Sequence, residues 1–86
     1  MNTLAEKYKL PKRIKLEVIN EQTIGIIKLI KSRIIQKDAR KIIEIAEQIK
    51  AVDSSKNIVL ICTENICSKS KALLASADIS VVFREL

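Results

Sequence analysis

Eighty-six residues, 48% of them hydrophobic, with one Gly, one Pro, one Tyr, one Phe and no Trp, make one small domain with an aliphatic, Ile-dominated core. A chain of this length buries only about 60–65% of its unfolded surface, so so much Ile is expected to leave an apolar face uncovered, for which dimerisation is the ordinary remedy. The formal charge of +6 favours polyanionic partners; the single glycine excludes Gly-rich phosphate loops, and the shortage of aromatics argues against base-stacking platforms.

The charge is unevenly distributed. Residues Lys7–Lys41 carry eleven Lys/Arg against Glu17, Glu21 and Asp38, whereas Ile42–Leu86 carry five against six acids. A concentrated basic surface binds nucleic acid by releasing counterions; the alternative is a solvated, Lys-rich face. Unbroken apolar runs reach only a handful of residues, far short of the ~20 of a membrane span. The basic N-terminal stretch lacks the apolar segment of a signal peptide, so a cytoplasmic location is expected. Abundant Ile and Lys suit a hot-growing host, and AT-rich coding bias gives the same composition.

In chain order, residues 1–11 form an N-terminal arm or short helical turn, closed by Pro11, which pushes the preceding residue out of the α region. Arg13–Ile19 alternates, with Ile14, Leu16 and Val18 on one face and Arg13, Lys15, Glu17 and Ile19 on the other, as in a half-buried strand with a basic outer face. Asn20-Glu21-Gln22 is a turn. Ile24–Ser32 is nearly continuous in apolar residues, as in a central strand covered on both sides. A helix is the competing reading, and Gly25 with the density of β-branched residues favours the strand.

Gln36–Val52 places Ala39, Ile42, Ile43, Ala46 and Ile49 in one helical stripe, with Val52 as the candidate last member, and Asp53-Ser54-Ser55 ends it. Ile58–Cys62 reads as a buried strand, Ser68–Ala77 as a short helix capped by Ser68 or Asn65, and Ile79–Phe83 as a last strand. The expected fold is therefore α/β: a small mixed β-sheet in the order β-β-α-β-α-β with flanking helices, in one domain. The first two strands should form an antiparallel hairpin, and strand-helix-strand units should form parallel pairs.

Cys62 at a strand end, followed by Asn65 and Cys67, resembles the phosphate loop of low-molecular-weight tyrosine phosphatases. The resemblance breaks where the chemistry needs it, because Ser68 stands at the arginine position and Glu64 at the loop glycine, where a carboxylate repels phosphate. With no His and only two Cys, a structural zinc site is not expected. The cysteines read as reduced thiols, with a disulfide as the alternative.

The stretch comprising Asp38–Val52, Ile58–Thr63, Ser68–Ala77 with Ala72, and Ile79–Leu86 with its closing Arg84-Glu85-Leu86 resembles the C-terminal half of restriction-endonuclease-like nucleases, in particular the Mrr and archaeal Holliday-junction-resolvase branches. Kink-turn RNA-binding ribosomal proteins have a similar tail, but with glycines upstream that this chain lacks. The nuclease resemblance implies cleavage by an acid on one strand and a Glu/Asp-x-Lys on the next, which together hold Mg²⁺. Here Lys28 is preceded two residues earlier by Ile26, and Lys31 by Leu29. The resemblance therefore implies a non-cleaving member without metal or cofactor, or a half that acts with a partner.

The leading expectation is a homodimer binding duplex or branched DNA through phosphate contacts from Lys12, Arg13, Lys15, Lys28, Lys31 and Arg33, with Lys69 and Lys71 as a second patch at a helix N-terminus. The rival is a protein-interaction module docking through an exposed Ile-rich face. An active metal-dependent nuclease would need Glu17 to gather with Glu21 or Asp38.

Overall fold

The period-two stretch around residues 15–28 folds as a hairpin because its alternating apolar residues are joined by a turn too tight for a helix. In the computed structural model, which describes residues 3–11 and 13–85, β1 (Lys15–Asn20) pairs antiparallel with β2 (Thr23–Lys28), from Lys15 opposite Ile27 to Asn20 opposite Thr23. The Asn20 side chain accepts the Gln22 N–H at 2.9 Å, the short polar contact that makes Asn a turn former. The register slips between Val18 and Asn20, bulging this edge strand.

From β2 the chain crosses through α2 (Gln36–Val52) to β3 (Asn57–Cys62), and through α3 (Ser68–Ser76) to β4 (Ile79–Phe83). Both crossovers return parallel strands, giving a mixed sheet in the order β1-β2-β3-β4. A short α1 (Thr3–Lys7) precedes it. The α/β class and the element order are those expected, and α2 has the expected bounds.

One core holds the molecule together. Ile24 and Ile26 of β2, Ile58 and Leu60 of β3 and Ile79 of β4 meet Ala39, Ile42, Ala46 and Ile49 of α2 and Leu74 of α3. Each buried Ile or Leu contributes roughly 1.5–3 kcal/mol relative to exposure. Tyr8, following α1, is buried in the same core, and its carbonyl accepts Gln48 Nε2 at 3.0 Å, fastening the arm to α2.

All three helices pack into this one layer, so β2 is not covered on both faces as its apolar run suggested. It also ends at Lys28 rather than Ser32. Strand alternation assigns Ile19, Ile27, Val59, Ile61 and Val82 to the opposite face, where Ile27, Ile61 and Val82 lie in register. Ile19 and Val82 are 45% and 44% exposed, yet Ile61 is fully buried. It lies against Gly25, where a Cβ would stand 2.6 Å from Ile61 Cδ1 and 3.2 Å from Ile19 Cδ1. Val18, expected in the interior with Leu16, is 57% exposed because it sits at the bulge of an edge strand.

The cap of α3 also differs from expectation. It is Cys67, whose Sγ accepts the Ser70 N–H at 3.3 Å and lies 2.9 Å from Ser70 Oγ. Asn65 is engaged elsewhere, its Nδ2 donating to the Lys31 carbonyl at 3.0 Å. Among the described residues no helix is long and apolar enough to cross a membrane.

Candidate functional site

Parallel strands align their carboxyl ends, and in this sheet Lys28, Cys62 and Phe83 stand in register at that edge. The antiparallel β1 begins there, with Lys15 opposite Ile27. The hairpin therefore brings Arg13 and Lys15 back to Lys28, and the loops leading into α2 and α3 open at the same end.

Those two loops are stitched together. Ile34 and Ile66 form an isolated parallel bridge, in which the Ile34 N–H donates to Asn65 O at 2.9 Å and the Cys67 N–H to Ile34 O at 3.1 Å. The fully buried Ser70 adds its hydroxyl to Ile34 O at 3.3 Å. With the Asn65 amide on Lys31 O, these bonds hold the segment carrying Lys31 and Arg33 against the start of α3, where Lys69 is exposed.

Beside them runs a groove of about 440 Å³, lined by the cations Arg13, Lys15, Lys28 and Lys41, the aliphatic Ile26, Ile27 and Ile42, and one acid, Asp38. The Asp38 carboxylate is turned back onto its own helix terminus, accepting the Ile35 N–H at 3.1 Å. This contact steadies the first turn of α2, whose free N–H groups and dipole favour anions. Among the described residues only Lys56–Asp53 and Arg84–Glu17 form ion pairs, so the four groove cations have no carboxylate partner. Like charges held together raise the local positive potential.

Of the basic residues singled out in the sequence, Arg13, Lys15 and Lys28 meet in this groove, and Lys31, Arg33 and Lys69 lie on the stitched loops and the first turn of α3. Lys71 diverges to the β4 side, its ammonium 5.5 Å from the centre of the Phe83 ring. Lys12 lies outside the described residues. Lys41 is the cation that sequence reasoning left out, although its cluster with Lys37 and Arg40 near the start of α2 signalled it.

Glu17 has a different environment from the one a metal ligand needs. Its carboxylate receives both guanidinium nitrogens of Arg84, at 3.2 and 2.8 Å, across the helix-free face from β1 to the end of β4. These hydrogen bonds hold the Glu17 carboxyl below its usual range and raise Arg84. Among the described residues no three His, Cys, Asp or Glu side chains gather as a metal-sized cluster.

The two cysteines are free. Burial raises the Cys62 thiol, while the Ser70 hydroxyl, the Ser70 N–H and the nearby Arg33 charge lower Cys67. A second cleft, of about 500 Å³ beside the ends of β3 and β4, carries Glu64 and Glu85 against Arg84 alone, a balance unsuited to phosphate. No known protein family, characterised protein or solved structure matches this chain.

Proposed function

We propose that this protein binds duplex or branched nucleic acid through the basic carboxyl edge of its sheet, without cutting it. The observation that carries this reading is the convergence of Arg13, Lys15, Lys28 and Lys41 on one groove with no carboxylate partner. Lys31, Arg33 and Lys69 extend the same surface, and each cation engages a phosphate rather than a base edge.

The aromatic inventory supports backbone contact over single-strand stacking. Tyr8 is 1% exposed, and Phe83 lies at the far edge strand under Lys71. Neither offers the groove a face on which a base could stack. Within the nuclease-like reading, Glu17 acts as a structural acid that Arg84 neutralises, and the chain is a non-cleaving relative.

Electrophoretic shift of labelled duplex and four-way-junction DNA at two salt concentrations, with Mg²⁺ and without, tests the proposal. Binding that weakens steeply with salt and leaves the DNA intact supports it; salt-indifferent binding refutes it. The half-exposed Ile19 and Val82 favour a second reading, a protein-interaction module. That reading predicts no shift of either DNA at any salt concentration.

A further inference from the structure

The sheet has two open edges, and they are built differently. β1 carries Lys15 and Glu17 and is bulged near Val18, devices that discourage another strand from pairing. β4 has none of these: it reads Ile-Ser-Val-Val-Phe, without charge, proline or bulge, and Val82 and Phe83 are 44% and 48% exposed.

Its hydrogen-bonding direction follows from one contact. The Arg84 N–H donates to Cys62 O on β3 at 2.8 Å, so by alternation Ser80 and Val82 also face β3. Ile79, Val81 and Phe83 then present their N–H and C=O groups away from the sheet. Beside this edge lies a groove of about 470 Å³ lined by Lys71, Ala75, Asp78, Ile79, Ser80 and Val81.

From these features we infer that β4 pairs antiparallel with β4 of a second copy, joining two four-stranded sheets into one of eight strands. A twofold axis at Val81 sets Val81 against its own counterpart and Ile79 against Phe83 of the second copy. This register forms about six main-chain hydrogen bonds in an antiparallel ladder. It is also self-complementary in charge. Asp78 falls at the Phe83 end of the second copy's strand, where that copy's Lys71 sits over the ring, while Arg84 stays with Glu17 of its own chain. The twofold repeats this contact, so each protomer supplies the anion once and the ammonium once, which is what favours a second copy over an unrelated strand. The pairing is independent of the nucleic-acid reading, since the groove cations lie on β2, on α2 and at the start of β1, with β3 between that side of the sheet and β4.

Sedimentation equilibrium over the micromolar range tests it, with circular dichroism to verify folding. The wild-type protein is expected at about twice the 9.7 kDa chain mass. Val81→Pro removes an outward N–H that the monomer does not use, a position where an edge strand tolerates proline, and is expected to halve the mass. Where that variant fails to fold, Ser80→Lys with Val82→Lys decides. Both sites are exposed, and the register puts their ammonium groups in direct opposition twice. A folded monomer from either variant supports the inference. A wild-type monomer, or a dimer that the folded variants leave intact, overturns it.

Discussion

Replacing Arg13 and Lys15 by Gln removes two of the four cations that line the groove beside α2 while keeping an uncharged polar side chain at each position. Each neutralised duplex phosphate contributes about −0.9 to the slope of log affinity against log salt, so the four groove contacts contribute about −3.6 of it. A fourfold rise in salt then weakens binding about 150-fold through these four contacts. With two of them left, their share falls to about −1.8 and the same salt step costs only about 12-fold through them. Fluorescence anisotropy of a labelled duplex across a salt series measures both slopes. Lys50→Gln, in the last turn of α2 at the opposite end of the molecule, is the control and should leave the slope unchanged. A double variant with the wild-type slope, or a wild-type slope near zero, refutes the argument that these groups meet phosphate.

Ser70→Ala removes the hydroxyl that ties Ile34 O to α3, but Ile34 O keeps the Cys67 N–H; the expected loss is about 1 kcal/mol by urea denaturation, and an unchanged midpoint would show the stitch to be idle. Gly25→Val drives a side chain into Ile61 and is expected to destabilise by about 1–3 kcal/mol, measured the same way, unless Ile61 swings clear. Iodoacetamide should modify Cys67 with a pH midpoint below that of an ordinary thiol, because the lowered group is thiolate over a wider range, while buried Cys62 stays protected; equal labelling of the two by mass spectrometry would contradict this. Supercoiled and four-way-junction DNA should remain uncut with Mg²⁺ or Mn²⁺, and cutting that Glu17→Ala abolishes would make Glu17 a metal ligand instead of the partner of Arg84.

Local pattern was enough to locate most of the elements. The apolar stripe from Ala39 to Ile49 repeats at helical spacing, and Asp53 with its serines stops it, so α2 could be delimited without tertiary information. Ile79–Phe83 was legible because three of its five residues are β-branched and a fourth is aromatic, the types that favour strands. The cap of α3 was not, because cysteine is an uncommon cap and its role arises only where Ser70 brings both an N–H and a hydroxyl to the sulfur.

The sequence by itself determined the mixed α/β order, the aliphatic core and the weighting of positive charge toward the front half, since these follow from residue spacing and composition alone. Tertiary structure decided which charges act together. Lys41 joins Arg13, Lys15 and Lys28 only because the hairpin returns β1 to the carboxyl end of β2, and Lys71 leaves them because α3 points it at Phe83. Pairing of Arg84 with Glu17, 67 residues apart, depends on both reaching over the same sheet face. The apolar run of β2 could not reveal that one of its faces lacks a helix, because the side on which a crossover packs is set by the handedness and order of strands, not by the strand's own residues.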